Sequence, residues 1–481
     1  MISEHATSFA ALEAAGRAAA MLMATGGDAR ITLSPPGFTN RYHSAPWPRP
    51  VLAYASSTAN DISPAAFAHV AALPARPYPA VLDTLRQRIR AAYGLSDDVG
   101  IVFAASGTDL EYVGLACVAD RAAHIHNVLL GADEVGSGCI HSAHGRYFAE
   151  ETPLGTATVP ATPVGGLGDR ISLTDIPVRD TLGHAYTSAA IRDRIDAAIE
   201  AEPDAHALVH VVHGSKTGLI LPLLDDIDDL RARHGDRMTL VVDACQARIT
   251  SPAIAAYLAR DAILFITGSK FMGGPPFSGI ALVPPAIAAR APSLPAGLAT
   301  IFRRAEWPAG WPGADALPDS GNDGLALRLE ASVFELERFQ RLPLARVERV
   351  ILAFHAAVRA AMVDRLGGRR VAPYPPGHRA EGDAHPVEMR TLSTIDLSRR
   401  AGHPDFDAAV ALHRALVGRG IRLGQPVKCV RLEDGRWGAT LRIGLSMPQV
   451  VAFDALGDQA LAARLAADMD RIAAAIEELS G

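Results

Sequence analysis

The sequence predicts an α/β fold: a mostly parallel central sheet flanked by helices, followed by a smaller C-terminal α+β domain. Three observations lead to it. Short apolar runs, IVFAAS, VLLGA, ALVHVV, LVVDA and AILFIT, recur between residues 101 and 267, and each ends in a turn. Helix-periodic stretches such as SPAAFAHVAAL, YPAVLDTLRQRIRAAYG and LEYVGLACVADRA lie before and between them. Brief strands that are apolar on both faces and separated by helices belong in a sheet covered on both sides. After about residue 323 the pattern changes to long helices and a few strand-like runs, which sets a second, smaller unit apart.

Taken in order, residues 7–24, TSFAALEAAGRAAAMLMA, read as a helix that Thr7 or Ser8 can cap and that Gly26-Gly27 ends. Residues 31–50 carry five prolines and little periodicity, and read as an extended arm. The expected division is 1–60 for the N-terminal helix and arm, 61–320 for the large domain and 321–481 for the small one. The Gly/Pro/Thr-rich stretch 152–187 reads as a surface excursion of the large domain. The small domain opens with two long helices, DGLALRLEASVFELERFQ and LARVERVILAFHAAVRAAMVDRLGG. TLSTIDL, IRLGQPVKCV and GATLRIGLS follow as strand-like runs around the helical FDAAVALHRALVGRG, and a last helix covers roughly 452–478.

A chain of 481 residues is longer than one simple core needs, and 49% hydrophobic against 20% charged residues supplies ample core material. The formal net charge of −6, without any Lys/Arg run, argues against a nucleic-acid partner. Cys117, Cys139, Cys245 and Cys429 are far apart and form no CxxC pair, which suits a reduced, cytoplasmic protein. The N-terminus carries Glu4 and Glu13 but no basic n-region, so no secretory signal is expected. The longest apolar runs fall short of a membrane span, so no membrane partner is expected.

In a parallel α/β sheet, ligands bind beyond the carboxyl ends of the strands. The residues after each apolar run are therefore where chemistry belongs. IVFAA is followed by Ser106-Gly107-Thr108-Asp109 and a helix, a small turn that either presents N–H groups to an anion or simply caps the helix. ALVHVV is followed by HGSKTG, which is no nucleotide P-loop: Ser215 stands where the glycine before the lysine is needed, and His210 in place of the first glycine. TLVVDA delivers Asp243, then Cys245 and Gln246; a carboxylate there needs a partner or caps the next helix. AILFIT delivers Thr267, Ser269 and Lys270. Asp243 and Lys270 are 270 − 243 = 27 residues apart on strands of one sheet, so an acid and an amine can converge on one ligand. A lysine in an apolar pocket loses proton affinity and attacks carbonyls. The carboxylate would pair with a ring cation and the glycine turn with a phosphate, and pyridoxal phosphate has all three needs.

From about residue 55 onward the chain resembles a fold-type I pyridoxal-phosphate enzyme, most of all the class V aminotransferase and cysteine desulfurase group. VDACQAR is similar to that group's Asp-Ala-x-Gln segment, TGSKFMGGPPFSGIALVP to its Schiff-base lysine segment, ASGTD to its phosphate turn and LRIGLS to its Arg-x-Ser strand. The resemblance implies Lys270 as Schiff-base lysine and proton shuttle, Asp243 as partner of the pyridine nitrogen, and Gln246 with Ser215 against the phenolic oxygen. It implies Ser106, Gly107, Thr108, Thr267 and Ser269 as phosphate ligands and Arg442 as a two-bond clamp on the carboxylate of an amino-acid substrate. Asn322, in SGNDG, matches a region that reaches the neighbouring subunit's phosphate, and a homodimer with shared sites is implied with it.

The chain also departs from that pattern. Ser269 stands where a histidine is frequent, and Ser215 where many relatives have asparagine. Glu134, Val135 and His141 are all open as the residue against the ring, and Gly273-Gly274-Pro275-Pro276 reads as a turn passing close beneath it. Lys216 is a rival lysine, but no acid precedes it at a suitable distance. His206 and His210 share a strand face while His213 points away, so no metal is expected. Asp225, Asp226, Asp228 and Asp229 read as a solvated helix N-terminus. Cys429 lies 442 − 429 = 13 residues before Arg442 in the apolar run PVKCV and reads as a buried thiol, which disfavours sulfur transfer. The reaction expected is transamination, with β- or γ-elimination, replacement or desulfurase-like chemistry as alternatives that the same core residues support.

Overall fold

In the computed structural model, which describes residues 9–480 apart from 36, 133, 137, 375–388, 401 and 403, the central sheet contains the five expected strands, two more, and the two-residue strand Ile220–Leu221, which pairs antiparallel with the end of His206–His213 alone. The first seven are β1 (Gly100–Ala104), β2 (Ile125–Leu130), β3 (Ile171–Ile176), β4 (His206–His213), β5 (Met238–Asp243), β6 (Ile263–Thr267) and β7 (Gly279–Val283). Their order in space is β1-β7-β6-β5-β4-β2-β3. β7 runs against both β1 and β6, and the other neighbours pair in parallel. Every residue of β1, β2, β4, β6 and β7 is buried, as a sheet covered on both faces requires. The α/β class is borne out.

Two readings need correction. The stretch 152–187 is not merely an excursion, because β3 lies within it and pairs with β2 at the sheet edge. An edge strand is only partly covered, so ISLTDI lacks the continuous apolar run that marks its neighbours. The acidic run is not fully solvated either. Asp226 is buried in the helix Leu224–His234 and accepts hydrogen bonds from Ser188 and from Arg192 at 3.0 Å.

Local chemistry sets the helix ends. Ser63 caps Pro64–Ala71, and Gly94, in the left-handed region at φ 69°, ends Tyr78–Tyr93. Asn322 caps the long helix Asp323–Gln340 by accepting from the Leu325 N–H at 3.0 Å. The first helix is shorter than expected, Ala14–Met23 after a single turn at Phe9–Ala11, and the proposed caps Thr7 and Ser8 lie outside the described residues. The last helix is in fact two, Met447–Asp454 and Asp458–Ser480. Ser446 and Gln449 form a reciprocal capping box at the start of the first.

The C-terminal part has its own antiparallel sheet of Arg369–Val371, Leu392–Asp396 and Thr440–Gly444. Only Ile421–Leu423 of IRLGQPVKCV is a strand, and it pairs in parallel with Leu52–Tyr54, which ties the end of the arm to this region. One apolar cluster runs from Leu52 through the central strands to Ile476. Arg248 crosses the junction. Fully buried, it donates to Ser56 Oγ at 2.7 Å, Thr391 Oγ1 at 2.9 Å and Gln246 Oε1 at 3.0 Å, with its guanidinium 5.2 Å from the Phe271 ring centre. Burial, with the charge of Arg442 added, lowers its pKa to about 9.

The turn after Lys270 packs tightly against the helix Asp323–Gln340. A Cβ on Gly274 would stand 2.0 Å from Ser332 Oγ, so nothing larger than glycine fits. Gly274→Ala is expected to lower stability by about 1–3 kcal/mol, the usual cost of overpacking. Adding Ser332→Gly should recover part of that loss, as measured by denaturant unfolding of the single and double variants.

Candidate active site

Val212 pairs with Asp243, and Asp243 with Phe265, so β4, β5 and β6 end side by side. The segments that follow them line a cleft of about 210 Å³. Ser106, Gly107, Thr108, Asp243, Gln246, Thr267, Ser269, Lys270 and Arg442 all line it, although they come from four distant parts of the chain. Ser215 and Asn322 do not. Arg30, Tyr42, Lys216 and Phe277 also contribute to the wall, and Val135 is the member of the Glu134, Val135 and His141 set that reaches it.

At one end the turn 106–108 closes against β6. A Cβ on Gly107 would stand 2.9 Å from Thr267 Cγ2, so glycine is required for this approach. Ser106 Oγ donates to Asp109 Oδ2 at 2.6 Å, and Thr267 Oγ1 donates to the Cys245 carbonyl at 2.6 Å. Arg30 enters from the N-terminal arm, where the sequence offers no motif beyond its spacing from Asp28. Its guanidinium is 5.0 Å from the Phe148 ring centre and 4.6 Å from that of Phe277.

In the middle, Asp243 Oδ1 accepts from the Cys245 N–H at 2.8 Å. Asp243 does not cap the next helix, since Thr250 does so by accepting from the Ala253 N–H at 3.1 Å. Behind Asp243 lie Glu111 and His210, both buried, with Oε2 and Nδ1 3.4 Å apart. Burial, reinforced by the charge of Asp243, holds the Glu111 carboxyl well above the usual range. Burial pushes His210 down to about 3. Burial thus disfavours the charged form of both groups. The other strand histidines have partners of their own, His206 with Thr239 at 2.9 Å and His213 with Tyr257 at 3.0 Å. Among the described residues no cluster of three or more His, Cys, Asp or Glu is placed to hold a metal.

At the far end, buried Arg442 donates through Nε to the Gln425 carbonyl at 2.8 Å and through Nη1 to the Lys216 carbonyl at 3.1 Å. Burial lowers its pKa to about 10, so it remains a cation at neutral pH. Ser215, expected at the ring, instead donates to Glu134. Glu134 also accepts from Arg179 Nε at 2.6 Å and from Thr217 Oγ1 at 2.6 Å. Burial opposes its charge, but Arg179 and these hydroxyls hold the carboxyl below its ordinary range. This knot pins the turn whose carbonyl holds Arg442. Asn322 is engaged within its own chain, donating to the Gly26 carbonyl at 2.9 Å besides capping its helix. Cys429 is buried, and burial pushes its thiol up to about 12.

Burial raises Asp109 to about 7, with the Ser106 hydrogen bond opposing. The fold thus favours the neutral carboxyl, and ionising it costs stability. Wild-type protein is expected to lose stability relative to Asp109→Asn as pH rises from about 4 to about 7, by at most about 1.4 kcal/mol per pH unit, and no further above that. Urea unfolding across this pH range measures it, and a difference independent of pH would contradict it.

No protein-family model matches the sequence, and no curated protein matches it. Solved structures do share the fold. Pyridoxamine-pyruvate aminotransferase from Mesorhizobium loti is 17% identical, with 90% of this chain and 98% of that chain covered at a TM-score of 0.52. Ureidoglycine-glyoxylate aminotransferase from Bacillus subtilis is 13% identical over 89% of this chain and 98% of that one, at 0.53. The cysteine desulfurase CsdA from Escherichia coli is 15% identical over 89% and 94%, also at 0.53. The chain shares the fold of these aminotransferases and this desulfurase, an α/β architecture with a mostly parallel central sheet flanked by helices.

Proposed function

We propose that this chain is a pyridoxal-phosphate-dependent enzyme that acts on an amino acid, and that its reaction is transamination. The observation that carries the proposal is the convergence of Lys270, Asp243, the turn 106–108 and Arg442 on one cleft. These residues fit the cofactor: an amine for its aldehyde, a carboxylate for its ring nitrogen, and a glycine-containing turn at a helix N-terminus for its phosphate. When bound, pyridoxal phosphate supplies a carbonyl that takes up amines and a ring that withdraws electrons from the bonds at the substrate α-carbon.

The chain's own residues do the rest. Lys270 would hold the cofactor and move the proton at the substrate α-carbon. Asp243, with buried Glu111 and His210 behind it, would hold the ring nitrogen. Gln246 has its oxygen committed to Arg248, so its NH₂ is available for the phenolic oxygen. Ser106, Gly107, Thr108 and Ser269 serve the phosphate, while Thr267 shapes the turn through its bond to Cys245. Arg442, already oriented by two carbonyl groups, receives the substrate carboxylate. A homodimer in a cytoplasmic setting, with Asn322 near the subunit boundary, and the division at residues 60 and 320 complete the proposal.

Desulfurase chemistry needs an accessible, ionisable cysteine. All four cysteines here are buried, Cys139 and Cys245 within the cleft wall, and burial raises the thiols of Cys117, Cys139, Cys245 and Cys429. Transamination is favoured over sulfur transfer on that ground.

Purified protein supplied with pyridoxal phosphate is expected to turn yellow, and Lys270→Ala to lose that absorption; a colourless wild type that takes up no cofactor would sink the proposal. Incubation with a panel of amino acids should accumulate the pyridoxamine form of the cofactor. Release of a keto acid and a leaving group with the yellow form intact would instead indicate a lyase. Arg442→Ala should lower kcat/KM about 10- to 100-fold through the lost charged hydrogen bonds, seen mainly in KM.

A further inference from the structure

We infer that Arg30 of the N-terminal arm is a ligand of the cofactor phosphate and that this contact latches the arm over the cleft, an inference that rests on the cofactor reading above. Arg30 presents two edges. Asp28 occupies one of them, accepting from Nε at 2.8 Å and 3.0 Å and from Nη2 at 2.6 Å. Asp28 is itself fixed, because it also accepts from the Arg30 backbone N–H at 2.9 Å.

The remaining N–H groups, on Nη1 and the second hydrogen of Nη2, lie near the turn 106–108, and Arg30 also shares a hydrogen bond with the Tyr42 hydroxyl. Nη2 is 3.4 Å from Ser106 Oγ and Nη1 is 3.5 Å from Thr108 Oγ1. Both are at the long limit of a hydrogen bond, and Ser106 Oγ already donates its proton to Asp109. A guanidinium edge and two hydroxyls set that far apart suit an anion shared among them better than they suit one another. Phe148 and Phe277 pack against the guanidinium, with ring centres 5.0 Å and 4.6 Å away, while about a fifth of the side chain stays exposed toward the opening.

Charge points the same way. A phosphate at this turn would sit close to Asp28 and Asp109, and needs a cation. Arg442 is held at the other end by Gln425 and Lys216, and Lys270 is the amine for the aldehyde. Arg30 lines the cleft beside Ser106 and Thr108. It also lines a second, outer cavity of about 990 Å³ together with Tyr42, Gly138 and Gln425, which line both. It therefore stands at the mouth between the two spaces, where the arm segment 28–42 passes.

The competing account is that Arg30 only anchors the arm through Asp28 and the two rings. The phosphate itself separates the two. The full-length chain, freed of cofactor, is titrated by absorbance with pyridoxal phosphate and with pyridoxal, which lacks the phosphate. Arg30→Ala is expected to weaken pyridoxal phosphate about 10- to 100-fold and to leave pyridoxal within about threefold, with Arg30→Lys in between. Pyridoxal phosphate, but not pyridoxal, should also slow proteolysis within residues 28–50 of the wild type. Equal weakening of both ligands, or of neither, overturns the assignment while leaving the cofactor reading standing. A wild type that binds no pyridoxal phosphate overturns both.

Discussion

Asp243 pairs with Val212 on one side and with Phe265 on the other, in strands that run the same way. Parallel pairing means that all three strands leave the sheet at one edge. Segments 213–218, 243–246 and 267–270 are therefore neighbours in space, and the turn after β1 joins them because β1 lies antiparallel to β7 and so runs with β6. Because these strands are apolar on both faces, a slip of one residue would leave burial unchanged while separating the strand ends, so hydrophobicity alone does not set this register. The short lengths of β5 and β6, six and five residues, leave little room for such a slip.

Around that edge the protein buries several ionisable groups, and each is handled differently. Glu134 stays charged because Arg179 and two hydroxyls surround it, and removal of either partner would leave a stranded charge. Burial disfavours the charged form of Glu111 and of His210 instead. Arg248 and Arg442 keep their charge in spite of burial because each guanidinium finds oxygen acceptors. The result is a rigid frame: the Glu134 knot fixes the turn at 215–217, that turn orients Arg442, and Arg248 joins the end of β5 to the segments near 56 and 391. A cleft built this way needs little reorganisation when an anionic substrate enters.

The cleft itself was largely legible in the chain. Lys270, Asp243, Gln246, Arg442 and the turn 106–108 each follow or lie in a recognisable strand, and strand ends in a parallel sheet are where ligands bind. Ser215 was expected at the ring but donates to Glu134 outside the cleft wall, since a serine after a strand looks the same whether it faces a ligand or a buried carboxylate. Its partner Glu134 is 215 − 134 = 81 residues away. Asn322 and Arg30 show the same limit from opposite sides. One sits in a segment that resembles a site and is engaged as a helix cap, while the other sits in a patternless arm and reaches the site.

The sequence alone determined the α/β class, the order of the strong strands and the long helices, because each of these rests on local periodicity. The tertiary structure decided the edge strand β3, the reversed strand β7, the split of the last helix and the entry of the arm. It also decided which polar side chains face the cleft and which face one another. Those outcomes depend on contacts between residues far apart in the chain, and a polar residue's burial and partner are set by where the backbone brings it, which no local pattern encodes.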